Sequence, residues 1–76
     1  MDETDAQLFA RLQETDPEFR RLATKHRELD GKIEEFDRIY YLTSEQERKR
    51  KDLQKQKLAL KDRLYALMRQ ARTKAG

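Results

Sequence analysis

The chain has 76 residues, no cysteine and one histidine; that leaves room for one domain with a marginal core, and excludes disulfide staples, thiolate zinc sites and histidine-rich metal centres. Charged residues make up 43% and hydrophobic ones 36%, no apolar run approaches the roughly 20 residues of a membrane span, and the acidic start at Asp2, Glu3 and Asp5 is unlike a signal peptide, so a cytoplasmic protein is expected. Residues 1–43 carry a net charge of −4 and residues 44–76 a net +7, which suits either two halves that complement each other within a molecule or dimer, the preferred reading, or a basic surface for nucleic acid or anionic lipid.

The first predicted element is a short helix over about residues 5–14. Thr4 and Gln7 have capping-box spacing, and Leu8, Phe9 and Leu12 form one apolar face. Isolated helices need on the order of 12 to 15 residues to hold in water. This one is therefore expected to dock on the rest of the chain, dock on a partner subunit, or fray.

A long helix follows over about 16–41. Thr15 and Glu18 read as its capping box, and Pro17 suits its first turn. The proline disfavours helix at Asp16, so the chain breaks or kinks there. Phe19, Leu22, His26, Leu29, Ile33, Phe36 and Tyr40 recur at alternating spacings of three and four, a heptad seam. Gly31 takes the outermost heptad position, where it costs about 1 kcal/mol against alanine.

A second long helix is predicted over about 45–72, started by Thr43 with Gln46 or by Ser44 with Glu47. Its seam is Leu53, Lys57, Leu60, Leu64, Leu67 and Ala71. Leu58, Tyr65 and Met68 form a second stripe that widens the apolar face. Residues 73–76 are expected to be a disordered tail.

Only about three residues, 42 to 44, separate the long helices, so they are expected to lie antiparallel as neighbours. Folding about that turn sets Ile33 level with Leu53, Leu29 with Lys57, His26 with Leu60, Leu22 with Leu64, and Phe19 with Leu67. The expected fold is all-α: an antiparallel, coiled-coil-like helical hairpin with a short N-terminal helix. One seam leaves Ile39, Tyr41, Leu42, Leu58, Tyr65 and Met68 uncovered, and each fully buried apolar side chain is worth roughly 1.5 to 3 kcal/mol. A homodimer of hairpins, forming a four-helix bundle, is the expected answer. Leu8, Phe9, Leu12, Leu58, Tyr65 and Met68 are the candidate partner interface.

Two stretches carry a family resemblance. His26, Leu29, Asp30 and Ile33 form a His-x-x-Leu-Asp-x-x-Ile pattern in the first long helix. Lys55, Lys57, Leu58, Leu60, Lys61 and Asp62 form a Lys-x-Lys-Leu-x-Leu-Lys-Asp pattern in the second. Over about residues 19 to 68 the chain resembles the YdcH-like small bacterial proteins, an uncharacterised domain family. The resemblance implies a coiled-coil hairpin and no established activity. The longer acidic N-terminus and Gly31 depart from it.

Few residues point to chemistry. His26 faces the seam; it has the residue type for a metal ligand, an acid/base group or a pH switch, but no second histidine or cysteine to share a metal. The preferred reading is a seam histidine hydrogen-bonded across the hairpin. Lys57 is read as a register-setting polar residue whose stem packs on Leu29 and whose ammonium reaches Asp30 or solvent. Arg48, Lys49, Arg50 and Lys51, with Lys55 and Lys61, are the nucleic-acid candidates. No aromatic is interleaved with them, and the expected binding is weak, salt-sensitive and sequence-independent. No nucleophile elbow, phosphate loop, dinucleotide fingerprint or zinc signature is present. The expected function is a non-enzymatic protein-interaction module without a cofactor or metal, which self-associates and meets an unidentified protein partner. The alternative is a weak nucleic-acid-associated protein using the basic third helix.

Overall fold

The computed structural model describes residues 3–75 as three helices, with no strand among them. Helix α1 spans Asp5–Thr15, α2 spans Pro17–Asp37 and α3 spans Ser44–Ala75. A 32-residue helix is about 48 Å long at 1.5 Å per residue, and the molecule measures 49 × 20 × 17 Å. Helix α3 is therefore the long axis on which the other two helices lie.

Local capping fixes where the helices start. Thr4 Oγ1 accepts from the Gln7 N–H at 3.1 Å, and Gln7 Oε1 accepts from the Thr4 N–H at 2.9 Å. Thr43 and Gln46 repeat this reciprocal box at the head of α3, at 3.1 and 2.9 Å, so the Ser44–Glu47 option is not taken up. The box expected from Thr15 and Glu18 does not form. Thr15 still belongs to α1, where its hydroxyl donates back to the Arg11 carbonyl at 2.8 Å. Asp16, extended as the residue before a proline is biased to be, caps α2 instead. Its carboxylate accepts from the N–H groups of Glu18 and Phe19. Arg20 closes the other side of the junction by donating to the carbonyls of Gln13 and Glu14, as cations at helix C-termini do.

Helix α2 ends at Asp37, four residues before the expected end, and residues 38–43 form the connection. Tyr40 is accordingly no seam residue: it is 89% exposed. The seam stops because α3 begins only at Ser44. The buried cluster nearest the turn is Leu29, Ile33 and Leu53, with Phe36 and Leu60 against it, and nothing faces a Tyr40 one turn further on. At its other end α3 continues through Thr73 to Ala75, where a disordered tail is the expectation. Gly76, the last residue of that tail, lies outside the described residues.

The second cluster includes α1. Leu8 and Leu12 pack with Phe19 and Ala23 of α2 and with Leu64 and Met68 of α3; Phe9, Leu22, Leu67 and Ala71 border them. Helix α1 thus takes the first of its three expected fates, docking on its own chain. Leu8 and Phe19 are fully buried, and the Phe9 ring meets Phe19 edge-on at 5.0 Å. Leu8, Leu12 and Met68, named above as partner-interface candidates, are all buried. The reason is geometric: Met68 lies on the face of α3 that α1 covers. Ala23 joins the core four residues after Phe19, where a small side chain admits the close approach of neighbouring helices.

Among the described residues, three ion pairs join α2 to α3: Asp37 with Arg50 at 2.9 Å, Asp30 with Lys57 at 2.6 Å, and Glu18 with Arg63 at 3.0 Å. Residue numbers fall along α2 as they rise along α3. Asp5 of α1 pairs with Arg72 of α3, and Glu3 holds Arg11.

Candidate functional site

The helices leave three surfaces to consider. On α3, Leu58 and Tyr65 are each 48% exposed. They stand seven residues apart, two turns along one face, with Lys61 between them. The Lys61 ammonium lies 5.8 Å from the centroid of the Tyr65 ring, a cation–π distance. Of the six residues predicted to meet a partner, these two remain open, Phe9 is half-buried, and the other three are in the core.

The second surface is the connection. Tyr40 and Tyr41 are 89% and 82% exposed and stack edge-on at 4.8 Å. Ile39 is exposed beside them and Leu42 half-buried. Nearby, Arg48, Lys49, Lys51 and Lys55 are exposed, while Arg50 is tied to Asp37. The acidic side chains of Asp37, Glu45, Glu47 and Asp52 are interspersed with that basic run, on the same exposed end.

The third surface is a cleft of about 460 Å³ between α1 and the long helices. Ala6 and Phe9 of α1, with Leu64, Tyr65 and Met68 of α3, form its apolar walls. Asp5, His26, Lys57 and Lys61 are the polar groups bordering it. Lys57 donates to Asp30 at 2.6 Å, the contact anticipated for it. That hydrogen bond holds the Asp30 carboxyl below its ordinary value; desolvation opposes it, and the electrostatic effects of Lys57 and His26 add to the lowering. Glu3 is lowered in the same way by the Arg11 guanidinium.

His26 departs from expectation. It is half-buried, and its Nε2 is shut off from solvent with no hydrogen-bond partner among the described residues. The acceptor one turn further along α2, Asp30, is already engaged by Lys57. Leaving a buried polar group unpaired costs about 1–3 kcal/mol. Among the described residues no group of three His, Cys, Asp or Glu side chains is placed to hold a metal ion, and no helix is long and apolar enough to cross a membrane.

Phe19, Leu29, Ile33, Leu53 and Leu64 of the predicted seam are buried, and Leu22, Phe36, Leu60, Leu67, His26 and Lys57 half-buried. Sequence reasoning missed Ala23, Asp16 as a cap, and the Arg20 contacts. For Asp16 the signal was present, since an acidic residue before a proline at the first helical turn is itself a capping pattern.

Residues 19–68 match one protein family, described as "Protein of unknown function (DUF465)". No curated protein matches the chain, and no solved structure does. The matched segment holds nearly all of α2 and most of α3 and leaves out α1.

Proposed function

The chain belongs to the DUF465 family, whose function is unknown, and we propose that it is a non-enzymatic, antiparallel helical hairpin that works by binding other proteins, beginning with a second copy of itself. The hairpin is what its likeness to the YdcH-like proteins implies. The inverse order of the three α2–α3 ion pairs supports the hairpin. The observation that carries the interaction reading is the exposed pair Leu58 and Tyr65. Folding buries Leu64 and Met68 of α3 in the cluster that includes α1, yet these two stay open on one face. Covering them against the same face of a second copy sets two α3 helices together and yields a dimer of hairpins, a four-helix bundle flanked by the α1 helices. The protein acts in the cytoplasm, and its other partner meets the charged outer faces.

Light scattering on Leu58→Glu/Tyr65→Glu tests the reading. Self-association is lost while helicity and unfolding midpoint stay near those of the parent, because surface changes of this kind cost within about 0.5 kcal/mol. An unchanged mass removes these residues from the interface.

A nucleic-acid role has one observation in its favour: Arg48, Lys49, Lys51 and Lys55 are all exposed. Such binding rests on phosphate contacts and is strongest at low salt. Failure to retard DNA or RNA at about 50 mM salt excludes it.

A further inference from the structure

Exposed groups without partners stand in fixed relation along α3. Leu58 and Tyr65 form a line on its surface. Ile39, Tyr40 and Tyr41 stand open in the connection, at the end of the rod where α3 begins. Lys61 and Asp62 are exposed, and neither enters a salt bridge among the described residues. At about 100° per residue, Lys61 falls about 50° to one side of the Leu58–Tyr65 line and Asp62 about 50° to the other.

We propose that the second copy docks in parallel, its α3 beside the first and in the same register. This rests on the self-association reading and adds the direction of the partner. Charge chooses the direction first. Antiparallel helices related by a two-fold axis bring like flanks together, and parallel ones bring opposite flanks together. Centred on Leu58 and Tyr65, an antiparallel pair sets Lys61 against the second copy's Lys61, Asp62 against its Asp62, and Lys55 against its Arg69. A parallel pair sets Lys61 against the second copy's Asp62, twice over by symmetry. Lys51 and Lys55, on the Asp62 side of the line, then face its Glu47 and Gln54. The connection makes the same choice. It lies about 26 Å along the axis from the midpoint of Leu58 and Tyr65, whereas α3 extends only about 20 Å the other way, to Ala75. An antiparallel partner therefore ends short of Tyr40 and Tyr41. A parallel partner brings its own connection level with them, and the two sets of apolar residues cover each other.

The chain has no cysteine, so a single spin label reports the direction. Ser44 is exposed at the head of α3. Pulsed dipolar spectroscopy on the full chain labelled at Ser44→Cys is expected to give a separation of about 20 Å, the helix spacing plus the labels. Antiparallel copies would hold the same labels about 50 Å apart. Thr73→Cys is a second label site should the first variant fold poorly, with about 20 Å expected against about 35 Å. Lys61→Asp weakens association about ten-fold, and Lys61→Asp/Asp62→Lys restores it by exchanging the charges of each pair. Tyr40→Ser/Tyr41→Ser weakens association at an unchanged unfolding midpoint. A dimer with Ser44 labels about 50 Å apart, or a double reversal no tighter than Lys61→Asp alone, overturns the parallel arrangement and leaves self-association standing. A folded chain that stays monomeric overturns both.

Discussion

At Gly31 an added Cβ would meet nothing within 4 Å, and the residue lies well inside α2. Glycine there retains its entropic cost with no close contact to offset it. Gly31→Ala is expected to raise unfolding stability by about 1 kcal/mol, read as a higher urea midpoint at unchanged slope. The preceding residue, Asp30, makes a pH-dependent contribution. Lys57 lowers its carboxyl from the ordinary 3.8, so the folded chain holds that proton less readily than the unfolded chain. The stabilisation is present above pH 3.8 and is lost as pH falls through the lowered value. In Asp30→Asn the stability difference from the parent narrows as pH drops below that point; a difference constant across pH 2 to 7 would contradict the assignment. This contact was legible from sequence, because a lysine on a seam has few acceptors within reach. The unpaired His26 Nε2 was not: it depends on what surrounds the imidazole once the helices pack, which is settled only in three dimensions.

Helix α1 is the element whose place depends most on packing. It has eleven residues, below the length at which helices hold alone, and Leu8, Leu12 and the Phe9–Phe19 contact anchor it. Leu8 is fully buried, so Leu8→Ala costs about 2–5 kcal/mol. Hydrogen exchange should show that loss first in residues 5–15, while amides around Leu29, Ile33 and Leu53 stay protected by the second cluster. Uniform loss of protection would mean that all three helices open together. The boxes at Thr4 and Thr43 were readable because capping is local: three residues decide it. The end of α2 was not. The heptad pattern runs on to Tyr40, but the pattern describes one helix, and burial at Tyr40 requires a neighbour that α3 does not extend far enough to provide. The destination of α1 was likewise open. Its apolar face was clear, while the groove that receives it is made jointly by Phe19, Ala23, Leu64 and Met68 from two other helices.

At the scale of the molecule, α1 covers only one end of a 49 Å rod. The acidic front half and basic back half meet in the ion pairs between Asp5, Glu18, Asp30 and Asp37 and the cations of α3. Much of the charge asymmetry is thereby used within the chain, leaving less of it for nucleic acid. These exposed pairs contribute little each, typically below about 1 kcal/mol, and the two apolar clusters hold the fold. Docking α1 and burying Met68 shrink the leftover apolar surface expected from sequence to Leu58, Tyr65 and the turn residues around Tyr40 and Tyr41. The proposed self-association therefore runs through a narrow face. The most direct test is the molar mass in solution by sedimentation equilibrium, followed through the micromolar range. A mass approaching twice the 9.2 kDa of one chain is expected, falling to a single chain in Leu58→Glu/Tyr65→Glu. A folded parent chain that stays at 9.2 kDa throughout would contradict it.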